Sequence, residues 1–168
     1  SISYTYGKPT GMSAKIHYQG SAVPCTIMGT VGGQMWYPVL AAISVGLSLK
    51  LNLVDITEAL ASYQGTHGRM KLISGIKDTT IIDDTYNASP VAVSAAFKTL
   101  ASIETRGRKI AVLGDMLELG THSVDAHKKV GVEAASVTDL FVCVGERMKD
   151  ALASALDAGL YENKALQF

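Results

Sequence analysis

Residues 14–18 and 22–28 alternate in the manner of two strands, with Gln19-Gly20-Ser21 between them. That period predicts two strands joined by a tight turn, so residues 1–30 read as β-structure. The period then lengthens. Over 36–49 and again over 53–63 apolar positions recur at helical spacing, with Val54, Ile56, Leu60 and Tyr63 on the apolar side of the second helix. Asp55, Thr57 and Glu58 crowd the first turn of that helix, where the helix dipole favours acidic groups. Gln64-Gly65-Thr66-His67-Gly68 is rich in breakers and predicts a domain boundary, with residues 1–67 before it and 68–168 after it.

Beyond the boundary, residues 69–73 lead through a turn over 74–78 into Thr79, Thr80, Ile81 and Ile82, which read as a buried strand. A helix is predicted over 91–103, with Ser89 as its N-cap and Pro90 at its first position, where a missing N–H costs nothing. Strand 110–113, helix 124–137, strand 140–144 and helix 148–158 follow, and 165–168 reads as the start of another strand. Short apolar strands alternating with amphipathic helices indicate an α/β fold with a doubly wound, mainly parallel sheet. In such sheets ligands meet the carboxyl ends of the strands. Three polar clusters, Asp83 to Asn87, Asp115 to Glu118, and Glu146 with Arg147, are therefore expected to converge on one cleft.

Composition narrows the class. The 168 residues are 48% apolar and carry 15 basic and 15 acidic side chains. Zero formal charge gives no electrostatic reason to expect nucleic acid or an anionic membrane, and the apolar stretch over 39–53 is too short and too interrupted to span a bilayer. Cys25 and Cys143 each sit in an apolar, strand-like setting that suits a reduced buried thiol, and neither has metal-ligand spacing around it.

The richest chemistry lies in Asp83-Asp84-Thr85-Tyr86-Asn87-Ala88-Ser89-Pro90. Adjacent carboxylates at a strand end suit a ribose diol or a hard cation; the competing reading is a turn cap with a solvated partner. Tyr86 could stack on a base or simply pack. Arg69 suits a phosphate contact or solvent. Gly29, Gly32 and Gly33 resemble a phosphate-cradling loop only weakly, and no GxxxxGK[ST] segment is present. His67, His122 and His127 have no nucleophile beside them in sequence and read as surface or junction residues.

That octapeptide, followed after a helix by Gly114-Asp115-Met116-Leu117-Glu118-Leu119-Gly120, closely resembles the Mur ligases. Leu40-Ala41-Ala42 and Val45-Gly46, Gly68-Arg69-Met70, and His127 with Val130-Gly131 occur in the matching order. The resemblance covers roughly residues 25–150. It implies that 1–67 is the last β-hairpin and two helices of a central ATPase domain, and 68–168 a Rossmann-like C-terminal domain short of its end. It also implies ATP-dependent amide-bond formation in peptidoglycan precursor synthesis: a carboxylate is phosphorylated to an acyl phosphate, and an amine displaces the phosphate. The likeness is strongest to members that add D-alanyl-D-alanine to UDP-N-acetylmuramoyl-tripeptide, acting as monomers in the bacterial cytoplasm with ATP and Mg2+.

Carried over by position, Asp84 would hold the ATP ribose, Arg69 would reach the phosphates, and Tyr86 and Asn87 would line the nucleotide side of the cleft. Asp115 and Glu118 match the second motif, and Glu146 and Arg147 stand where the incoming dipeptide is presented. No catalytic side chain and no metal ligand is carried over. Gln34-Met35 replaces the family's His-Asn near the adenine, and Pro38 replaces a following Asn. The P-loop, metal-binding glutamate, modified lysine and Lys-Gly-Ser segment of the family have no counterpart here, so this chain alone is expected to be inactive. A Mur-like ligase for another amino acid or for poly-glutamate, and a non-catalytic nucleotide-binding module, are the alternatives.

Overall fold

Strands β1 (Ile2–Thr5), β2 (Lys8–Tyr18) and β3 (Ser21–Met28) form an antiparallel meander in the computed structural model, which describes residues 1–168. Both connections are two-residue loops. Tyr6-Gly7 (φ 50° and 76°) and Gln19-Gly20 (φ 47° and 80°) take positive φ throughout, the turn geometry whose twist matches that of the flanking strands. Met12, Cys25 and Ile27 of the sheet pack against Val39 and Ile43 of α1 (Trp36–Ser48) and Leu53 and Ile56 of α2 (Leu53–Ala61). The Asn52 carboxamide oxygen caps α2 by accepting the Val54 N–H at 2.9 Å. Gly46 lets Ile56 approach: a Cβ there would lie 2.7 Å from the Ile56 Cδ1.

The strand over 79–82 takes a different partner from the one expected. It forms β5 (Thr80–Asp83), which pairs antiparallel with β4 (Lys71–Ser74) in a two-stranded sheet, Lys71 opposite Asp83 and Ser74 opposite Thr80. A short connection brings β4 and β5 together at little loop-closure cost, and this hairpin leaves β5 outside the parallel sheet. The chain divides into two compact units, Ser1–Tyr86 and Asn87–Phe168, so β4 and β5 belong with the meander and its helices.

The second unit holds α3 (Pro90–Ser102), β6 (Ile110–Gly114), α4 (Ser123–Val137), β7 (Leu140–Val144), α5 (Met148–Asp157) and β8 (Ala165–Gln167). The strands are parallel in the order β6-β7-β8. Strand order advances in one direction, and parallel crossovers share one hand, so the helices gather on one face. Ala111, Phe141 and Cys143 point to that face and meet Val93 and Phe97 of α3, Val130 and Ala134 of α4, and Met148, Ala151 and Ala155 of α5. Complete burial of Phe141 is worth about 2–3 kcal/mol. The opposite face leaves Ile110, Val112, Val144 and Leu166 exposed. No helix is long and apolar enough to cross a membrane.

Candidate functional site: a carboxylate pair and an arginine on the first unit

Gly68 takes φ +71°, and a Cβ there would lie 2.9 Å from the Tyr86 nitrogen, so only glycine lets the turn after α2 press against the end of β5. The Tyr86 N–H donates to the Gly68 carbonyl at 3.2 Å, and Met70 (φ 52°) is anchored from behind by Thr30 and Val31, whose Oγ1 and N–H donate to its carbonyl at 3.0 and 3.2 Å. Arg69 is thereby held at the outside of a pinned turn. Its guanidinium lies 4.0 Å from the centroid of the Tyr86 ring, and that ring is itself 72% exposed.

The two carboxylates of this turn are used differently. Asp83 Oδ1 accepts the Thr85 hydroxyl at 2.7 Å and the Thr85 N–H at 3.3 Å, while Oδ2 accepts the Gly68 N–H at 2.8 Å and faces His67 Nδ1 at 3.8 Å. The Thr85 hydroxyl above all, with the Gly68 N–H, holds the Asp83 carboxyl below its ordinary range. Asp84 Oδ1 accepts the Met70 N–H at 3.2 Å, and its second oxygen has no protein partner. Because no buried side-chain oxygen is left unpaired, that oxygen reaches solvent. Burial pushes the Asp84 carboxyl upward, and the Met70 N–H and Arg69 oppose the rise. Asp83 is thus spent on folding the turn, and Asp84 offers a free acceptor beside Arg69. Thr85 and His67 both serve Asp83, Thr85 from two residues along the same turn and His67 from the turn that precedes β4.

Asn87 begins the second unit, exposed, with its carboxamide oxygen accepting the Ala88 N–H at 2.9 Å. The Ser89 hydroxyl caps α3 by accepting from the Ala92 N–H at 3.3 Å. Asp115 and Arg147 do come together. Asp115 Oδ1 accepts the N–H groups of Arg147 and Met148, each at 3.0 Å, and Oδ2 lies 3.9 Å from Arg147 Nη1. Asp115 therefore caps the start of α5 from the end of β6, leaving the Arg147 side chain 52% exposed. Gly145 makes room, since a Cβ there would lie 2.6 Å from Asp115 Oδ1. Glu118 is exposed at φ 62°, and Glu146 is 94% exposed with Lys149 3.9 Å away; neither joins the Asp115 cluster.

His127, expected at the surface or a junction, is fully buried. Its Nε2 accepts the Met116 N–H at 3.1 Å and its Nδ1 donates to the Ser123 carbonyl at 2.7 Å, which sets the Nδ1–H tautomer and ties the 114–120 loop to α4. Its helical spacing from Val130, Gly131 and Ala134, which puts all four on one face of α4, was the available sign. His67 is 81% exposed, as expected, and so is His122.

The model of the family "Mur ligase, glutamate ligase domain" matches residues 68–167, more than half of the chain. The chain belongs to the Mur ligase family. Among curated Mur ligases, it is 39% identical over 92 residues to the UDP-N-acetylmuramoyl-tripeptide–D-alanyl-D-alanine ligase of Bacillus subtilis, covering 55% of this chain and 20% of that protein. The ligase of the same name from Buchnera aphidicola is 31% identical over 159 residues, covering 93% of this chain and 34% of that protein. A crystal structure of MurF from Acinetobacter baumannii superposes with a TM-score of 0.79 at 31% identity, covering 94% of this chain and 34% of that one. The MurF of Thermotoga maritima, solved with ADP, has the same fold at a TM-score of 0.78 and 24% identity, covering all of this chain and 36% of that one. This Mur ligase chain thus spans between a fifth and about a third of the relatives it matches.

The residues fit part of a nucleotide. Asp84 has a free oxygen for a ribose diol, and Arg69 a braced fork for phosphate. No three His, Cys, Asp or Glu side chains are grouped to hold a metal ion.

Proposed function

We propose that the chain is part of an ATP-dependent ligase that adds D-alanyl-D-alanine to UDP-N-acetylmuramoyl-tripeptide, and that its first unit supplies the ribose and phosphate contacts of the ATP site. The supporting observation is the unequal use of the two adjacent carboxylates. Asp83 is consumed by Gly68, Thr85 and His67, whereas Asp84 keeps an oxygen free next to Arg69. When bound, ATP supplies the phosphoryl group that makes a carboxylate reactive towards an amine. Asp84 accepts the ribose hydroxyls, and its partly dry setting strengthens those hydrogen bonds. Arg69, stacked on Tyr86, presents a guanidinium already ordered for phosphate oxygens, so less rotamer freedom is lost on binding. Tyr86 lines the nucleotide side. On the second unit, Arg147 meets the carboxylate of the incoming dipeptide while Asp115 fixes the backbone that carries it.

The test is phosphate release by the protein expressed from its complete reading frame, with ATP and UDP-N-acetylmuramoyl-tripeptide. Release that depends on D-alanyl-D-alanine, with a raised KM for ATP in Asp84→Ala, is expected. Release driven instead by a single amino acid or by glutamate would replace this reading with that of another Mur-type ligase.

A further inference from the structure

Lys71 opens β4, yet its ammonium engages no carboxylate. Its Nζ lies 3.2 Å from His67 Nε2. An ammonium has only donors, so Nε2 accepts and the imidazole proton sits on Nδ1, the nitrogen facing Asp83 Oδ2 at 3.8 Å. Asp83 is already bound by Thr85 and Gly68, and it orients the ring without reaching Lys71. The lysine stem passes over Gly65, where a Cβ would lie 3.5 Å from Lys71 Cγ and 2.7 Å from the Gly29 oxygen. Gly65 and Gly68 (φ 72° and 71°) bracket His67 and define the turn. Two cations leave this turn two residues apart, each braced by a ring: Arg69 by Tyr86 and Lys71 by His67. Cations ordered this way keep their charge available for an anion.

We propose that Lys71 is a second phosphate-contacting residue of the nucleotide site, with His67 as its positioning residue, so that the site selects the polyphosphate of a nucleoside di- or triphosphate. This rests on the nucleotide reading above. The experiment measures competition with ATP by ADP, AMP and adenosine, using the protein expressed from its complete reading frame. Lys71→Gln is expected to weaken ADP by about tenfold, as for one lost charge-assisted hydrogen bond, and to leave adenosine unchanged. Lys71→Arg should retain most of the ADP affinity. His67→Ala should weaken ADP several-fold, and His67→Gln, whose amide oxygen can accept from Lys71, should restore it. Equal weakening of all three ligands by Lys71→Gln, or no weakening, overturns the proposal. Asp84→Ala separates the two readings. If it weakens adenosine as well as ADP while Lys71→Gln is neutral, the Lys71 proposal alone fails; if it changes neither ligand, the nucleotide site itself is misplaced and the Lys71 proposal falls with it.

Discussion

Asp83 Oδ2 accepts the backbone N–H of Gly68 at 2.8 Å, across fifteen residues of chain. This bond closes the turn that carries Arg69 against the end of β5, and it leaves the neighbouring Asp84 as the carboxylate with an open oxygen.

The two carboxylates respond to acid with opposite signs. The Thr85 hydroxyl and then the Gly68 N–H lower Asp83, and a lowered folded-state value contributes stability that is present above the unfolded value, near about 3.9, and lost as pH falls through the folded one. Burial raises Asp84, so its ionised form opposes folding at neutral pH, and protonation relieves that cost as pH falls through the raised value. Asp83→Asn is therefore expected to lower Tm at pH 7, and Asp84→Asn to maintain or raise it. Both differences should shrink through the acid range in melts followed by circular dichroism. Asp84→Asn should nonetheless lose nucleotide affinity, exchanging function for stability.

His127 supports the 114–120 loop through its Met116 and Ser123 contacts. His127→Ala removes a fully buried ring and strands the Met116 N–H, at a cost of about 2–4 kcal/mol in urea unfolding. His127→Gln, which can keep one of the two hydrogen bonds, should lose less.

Two helical glycines should respond unequally to a methyl group. A Cβ at Gly131 of α4 would lie 1.9 Å from the Ala151 carbonyl oxygen, and backbone cannot step aside cheaply. Gly131→Ala is expected to destabilise by about 3 kcal/mol as α4 and α5 are forced apart. At Gly46 the obstacle is the Ile56 Cδ1, the mobile end of a side chain, and the roughly 1 kcal/mol gain in helix propensity offsets its displacement. Gly46→Ala should fall within about 1 kcal/mol of the parent, measured by the same denaturation.

Both thiols should be silent in the folded protein. Burial pushes the Cys143 thiol up to about 12 and raises that of Cys25, so little thiolate exists at pH 8. Labelling with iodoacetamide should be negligible in buffer and complete at both cysteines in denaturant. Rapid labelling of the native chain would show that one of the two cores opens.

Local order decided what could be read along the chain. Strand Leu140–Val144, helix α3 with its Ser89 cap and Pro90 start, and the Gln19-Gly20 hairpin turn are written in neighbouring residues, because capping, turn geometry and hydrophobic period act within a few positions. The two long motifs likewise carry the family resemblance in contiguous residues. Tertiary structure decided what distant residues share. It gave β5 an antiparallel partner in β4, buried His127, spent Asp115 on the start of α5, and consumed one of two chemically identical aspartates while exposing an oxygen of the other. Side-chain identity is local, whereas burial and hydrogen-bond partners depend on which backbone groups folding brings within 3 Å, and no spacing along the chain encodes that.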